Sequence, residues 1–135
     1  SMARKPQPVT EIYCVHVIDP VPHPSKNFTM YKVRIEIQPV SVDGKVEVRE
    51  FYKRFSDFRK LQDTLGHYYR QLYRAEAFPS LPSVGFCKRV DPAMIEQRRT
   101  AAELMLQFIY ERDYLYNHAL FKEFCSTSCD TDAPS

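Results

Sequence analysis

Six consecutive residues, Lys53-Arg54-Phe55-Ser56-Asp57-Phe58, set a guanidinium, an aromatic ring, a hydroxyl and a carboxylate where the hydrophobic period changes. Upstream the apolar residues alternate, as in a strand; downstream they recur every three or four residues, as in a helix. An arginine at such a junction presents a rigid fork of donors that matches a phosphate. Phe55 offers an apolar floor for a ring carrying that phosphate. Ser56 is a favoured helix N-cap, and the helix after it would aim its positive end at the same point. The same residues also describe an ordinary strand-to-helix junction, a surface arginine beside a core phenylalanine.

A second candidate cation lies on a helix. Pro92 suits a first-turn position, and an apolar stripe follows at Met94, Ile95, Ala101, Ala102, Leu104, Met105, Phe108 and Ile109. Arg98 falls inside that stripe, so its permanent charge needs a partner. Arg99 is turned about 100° away and is expected to meet solvent.

The elements that must hold these residues can be read in order. Residues 1–10 form a loose arm, and Ser1-Met2 reads as a scar of expression on a fragment of something longer. Glu11 to Ile18 reads as a strand with Ile12, Cys14, His16 and Ile18 on one parity, followed by a proline-rich loop from Asp19 to Lys26. Phe28 to Gln38 alternates cleanly, with Tyr31, Val33, Ile35 and Ile37 on one face. Asp43-Gly44 marks a hairpin through residues that tolerate positive φ. Val46 to Lys53 returns as a third strand whose apolar parity shifts at Phe51, which predicts a bulge near Arg49-Glu50.

From Asp57 the stripe Phe58, Leu61, Leu65, Tyr69, Leu72 predicts a helix, in which Gly66 marks a bend or close packing. Phe78-Pro79-Ser80-Leu81-Pro82 must be an extended crossing. Val84 to Asp91 is a short loop carrying Phe86, Lys88 and Arg89, and Tyr114 to Phe124 a short last helix with Leu115, Leu120 and Phe124 inward. The polar tail, residues 127–135, is expected to be disordered. Strands followed by helices make an α+β domain.

Composition narrows the function. At 135 residues the chain suits one domain, and a net charge of +2 is too small to argue for nucleic acid as a partner. No run is long or apolar enough to span a membrane. Cys125, Cys129 and His118 lack a second ligand pair of zinc-like spacing, so no metal and no cofactor is expected, and the cysteines read as reduced thiols. No nucleophile–base pair, paired carboxylates or glycine loop for phosphate has supporting context, so an enzyme is not expected.

The order of pieces resembles the Phox-homology (PX) domain over about residues 10 to 126. The segments Asp19-Pro20, His23-Pro24, Tyr31-Lys32-Val33, Lys53 to Lys60 and Ile95-Glu96-Gln97-Arg98-Arg99 carry the resemblance. The first four look most like a sorting nexin subgroup that includes PX domains attached to kinase-like proteins. The resemblance implies a three-stranded antiparallel sheet packed against three to four helices, over residues 11–126. It implies a phosphoinositide lipid as ligand, most often phosphatidylinositol 3-phosphate, and a peripheral, cytoplasmic place on endosomal membranes. By resemblance Arg54 holds the 3-phosphate, Phe55 packs under the inositol ring, and Arg98 binds the ring hydroxyls. One match fails: the family usually places a lysine just after the second proline, and here Ser83 and Val84 follow Pro82.

Lys88 is the expected substitute, brought back by a turn at Gly85, with Arg89 assisting or lying on the anionic surface. Phe86, with Val84, is a candidate membrane contact; the alternative for Phe86 is a core residue under the proline crossing. The other functional class is a PX-fold domain with weak or no lipid binding that meets protein partners. Pro79 and Pro82 have the spacing that proline-reading domains recognise.

Overall fold

The strand with the cleanest alternation sets the register of the rest. The computed structural model describes residues 10–83 and 91–130. Strands β1 (Glu11–Pro22), β2 (Thr29–Pro39) and β3 (Glu47–Arg54) form an antiparallel sheet in the order β1-β2-β3. Four helices follow, α1 (Phe55–Arg70), α2 (Pro92–Tyr110), α3 (Asp113–Tyr116) and α4 (Ala119–Cys125). Tyr31, Val33 and Ile35 of β2 are fully buried against the helices, and Ile37 is half-buried.

The central strand decides which face of its neighbours turns inward. Val15 pairs with Ile35 and Val17 with Val33, so the odd residues of β1 enter the core. The even set Ile12, Cys14, His16 lies opposite Gln38, Glu36 and Arg34 on the outer, exposed face. β1 also runs through the first prolines to Pro22; an irregularity between Ile18 and Val21, with Asp19 at φ 50°, takes up Pro20. An edge strand tolerates proline because its outward N–H has no ladder partner to lose.

β3 has no bulge: its register runs unbroken from Met30↔Arg54 to Ile37↔Glu47. The shift in apolar parity is a change of face. Val48 lies outside opposite Glu36, whereas Phe51 and Lys53 point inward. The β2–β3 turn uses no positive φ at Asp43 or Gly44. Gly44 is needed for room, since a Cβ there would lie 2.0 Å from the Pro39 ring.

α1 starts at Phe55, directly after β3, with Arg54 as N-cap and Ser56 inside the first turn. The Asp57 carboxylate accepts from the Arg54 N–H at 3.0 Å, satisfying a donor that the strand-to-helix switch leaves open. Phe58, Leu61, Leu65 and Tyr69 are buried as their spacing requires. Gly66 lets the Phe78 ring close on the helix: a Cβ would sit 3.2 Å from it. Phe78 in turn packs on Tyr69 and Phe108, which fastens the proline crossing to α1 and α2.

In α2, Asp91 caps the Ala93 N–H and Pro92 takes the first helical position. The buried set is Met94, Ala102, Met105, Leu106 and Ile109; Leu104 points to solvent at 57% exposure. The last helical stretch is split in two, with His118 Nδ1 accepting the Leu120 N–H as N-cap of α4. Leu115, Phe121 and Phe124 complete the core. Residues 127–130 are not a loose tail. Tyr52 N–H donates to Ser128 Oγ, Cys129 N–H donates to Tyr52 O, and Lys53 Nζ donates to Thr127 Oγ1.

Candidate functional site

Arg54 is the last residue of β3 and the N-cap of α1, and its side chain is exposed. Its guanidinium lies over the Phe28 ring, 4.0 Å from the centroid. The fork is therefore held beside a helix N-terminus by an aromatic plate, where a phosphate would meet both.

Phe55 is 6% exposed, so little of its ring is open to a ligand. What lies against it is a pair of guanidiniums: Arg98 of α2 at 4.5 Å and Arg59 of α1 at 5.5 Å. Arg59 also donates to the Pro82 carbonyl at 2.5 Å, at the end of the proline crossing. Among the described residues, the buried side-chain atoms with no hydrogen-bond partner are Tyr31 Oη, Arg59 Nε and Arg98 Nε. All three belong to this one neighbourhood. Burial raises the Tyr31 pKa, while the Arg98 charge and donor oppose the rise. The two side chains are thus coupled without a hydrogen bond of good geometry between them.

Arg98 lies over the ring of Phe55, the residue after Arg54, while the Arg54 guanidinium itself rests on Phe28. Lys88, Val84, Phe86 and Arg89 lie outside the described residues. Arg59, Phe28 and Tyr31 were not singled out by sequence. Arg59 had a signal, since position i+4 from Phe55 lies on the same helix face. Phe28 had none, because its contact depends on how the chain enters β2.

Arg99 does not lie free in solvent. It pairs with Glu96 at 2.6 Å and donates from Nη1 to the Val17 carbonyl at 2.8 Å, and Glu103 accepts the Val17 N–H at 3.0 Å. These side chains serve the open edge of β1 in place of a further strand. The Glu96 pKa is lowered and the Arg99 pKa raised by their shared hydrogen bonds.

Lys53 is buried, with Nζ 2.6 Å from Thr127 Oγ1 and over the Phe124 ring at 4.6 Å. Loss of hydration lowers its pKa, and the Asp57 charge counters in part. It lines a hollow shared with Asp57 and Leu61 of α1 and Phe124 of α4.

A family model described as PX domain matches residues 42–128. The chain belongs to the PX domain family, whose members are typically phosphoinositide-binding modules. Human sorting nexin-15 is 39% identical over 111 residues, covering 80% of this chain and 32% of its own length. Human ribosomal protein S6 kinase delta-1 is 36% identical over 111 residues, covering 80% of this chain and 10% of its own. The chain thus spans about a third of the first relative and a tenth of the second.

Among solved structures, a designed CISK-PX domain superposes with a TM-score of 0.63 at 25% identity, covering 84% of this chain and 99% of that one. The mouse SNX19 PX domain with a bound sulphate ion gives 0.60 at 17% identity, covering 87% and 99%. Among the described residues, no helix is long and apolar enough to cross a membrane.

Proposed function

We propose that this chain is a membrane-targeting module that recognises phosphatidylinositol 3-phosphate on endosomal membranes, within a protein of trafficking or signalling, and that it is not an enzyme. Arg54 holds the 3-phosphate and Arg98 the ring hydroxyls. Phe55 backs the guanidiniums of Arg98 and Arg59, which meet the ligand in place of its own largely covered ring. Lys88 and Arg89 supply further cations, and Val84 and Phe86 meet the membrane. The carrying observation is that Arg98 Nε and Arg59 Nε, on the two guanidiniums over Phe55, and Tyr31 Oη, coupled to Arg98, are buried without a hydrogen-bond partner among the described residues. Buried donors without partners are costly, and such donors beside the residue that follows Arg54 suit a polyhydroxylated, phosphorylated ring.

The mouse SNX19 PX domain is described with a bound sulphate ion, a tetrahedral oxyanion like phosphate, which favours oxyanion recognition in this fold. The test is sedimentation with liposomes that differ only in the phosphoinositide included. Binding to vesicles carrying phosphatidylinositol 3-phosphate, lost in Arg54→Ala with an unchanged circular dichroism spectrum, is the expected result. Indifference to every phosphoinositide would favour the protein-interaction reading, to which the absent lysine after Pro82 already points.

A further inference from the structure

We infer that residues 127–129 form a strap that positions Arg54, so that headgroup affinity depends on a segment outside the pocket. The inference rests on the phosphate role proposed above for Arg54. β3 is an edge strand, and the outward backbone groups of Tyr52 are taken by the strap: its N–H by Ser128 Oγ at 2.9 Å, its carbonyl by the Cys129 N–H at 2.9 Å. Thr127 Oγ1 holds Lys53 Nζ at 2.6 Å. Tyr52 is therefore clamped at the edge that β2 does not reach, and Lys53 through its inward side chain.

A second route runs through side chains. His23 Nδ1 accepts the N–H groups of Ser25 and Lys26 at 3.1 and 3.0 Å, so Nε2 carries the proton and donates to the Cys129 carbonyl at 3.0 Å. The His23 ring, so fixed, packs on Phe28 with centroids 4.7 Å apart. Phe28 is the plate beneath the Arg54 guanidinium. An exposed arginine otherwise samples many rotamers, and restricting it before a ligand arrives strengthens binding without any new contact. The clamp ends on Tyr52 and Lys53, next to Arg54, and the aromatic stack ends on Arg54 itself; Cys129 takes part in both.

The experiment uses the full 135-residue chain. Cys129→Pro removes the N–H given to Tyr52, and Cys129→Ala keeps it; Ser128→Ala removes the acceptor, and Ser128→Thr restores a hydroxyl. Each is titrated with soluble dibutanoyl phosphatidylinositol 3-phosphate, well below its melting temperature. Cys129→Pro and Ser128→Ala are expected to bind about three- to tenfold more weakly, with Cys129→Ala and Ser128→Thr close to wild type. Stacked on Phe28, the Arg54 side chain is expected to show ring-current-displaced Hδ resonances in the wild type that move toward random-coil positions in the two weakened variants.

Lower melting temperatures with affinity and Arg54 resonances unchanged would overturn the strap, leaving a purely structural clip. Should the wild type not bind the headgroup, the lipid reading falls. The resonances then decide alone: unmoved they overturn the coupling, moved they support it. If Cys129→Pro does not fold, Ser128→Ala against Ser128→Thr decides between strap and clip by the same two readouts.

Discussion

Arg98 and Arg99 are neighbours in sequence with opposite duties. Arg99 is spent on Glu96 and the Val17 carbonyl, holding α2 to the edge of β1. Arg99→Ala should cost about 1–2 kcal/mol of stability, read by urea denaturation, and leave headgroup affinity unchanged. Arg98 has a buried Nε with no partner among the described residues and lies over Phe55. Arg98→Leu removes the orphan and keeps an apolar cover on the ring, so stability should stay within about 1 kcal/mol of wild type or rise. Headgroup binding should fall by roughly 2–5 kcal/mol, as it should for Arg54→Ala. A stable Arg98→Leu protein that still binds would remove Arg98 from the site. The helical spacing placed Arg98 correctly but not the destination of Arg99, which depends on a strand far away in sequence.

At the scale of elements, local pattern was decisive where one face carried most of the signal. β2 and α1 were legible because Tyr31, Val33, Ile35 and then Phe58, Leu61, Leu65, Tyr69 are unambiguous. β1 was legible as a strand but not in its facing, since Ile12 and Ile18 compete with Val15 and Val17 until β2 fixes the register. Leu104 and Leu106 are equally apolar, and only the packing of α2 on β1 buries the second. Ser56 has the better capping chemistry, yet Arg54 takes the N-cap because β3 pairs with β2 to its last residue. The site showed the same division. That Arg98 meets Phe55 was legible in motif and spacing, whereas the seat of Arg54 on Phe28 and the strap are tertiary. Gly66 tests the packing account. Alanine is the better helix former by about 1 kcal/mol, but its Cβ would press on Phe78, which Tyr69 and Phe108 already enclose. Gly66→Ala should therefore lower the thermal midpoint by the equivalent of about 1 kcal/mol; a higher midpoint would show that Phe78 yields freely.

For the molecule as a whole, the seam between sheet and helices runs past Cys125 at the end of α4. Burial raises its thiol pKa from 9.0 to about 11, against the opposing pull of the Tyr110 hydrogen bond and the Lys53 and Arg49 charges. A raised folded-state pKa means that the folded protein keeps the proton where the unfolded chain has lost it. The contribution of Cys125 is thus complete below about pH 9 and is lost as pH rises toward 11. Lys53 behaves in the opposite sense: its pKa is lowered by burial, so its contribution improves as pH rises toward the ordinary lysine range. A bare pH profile would mix the two, and comparison with Cys125→Ala separates them. Near pH 8 the wild type should be the more stable protein, because alanine leaves part of the thiol's space empty. By about pH 10.5 the gap should shrink by about 1–2 kcal/mol, since only the wild type must keep this thiol protonated in the seam. Urea denaturation of both proteins at the two pH values measures the gap. Parallel loss of stability in the two would mean that the Cys125 thiol ionises as easily in the folded protein as in water, and that the seam is open to solvent.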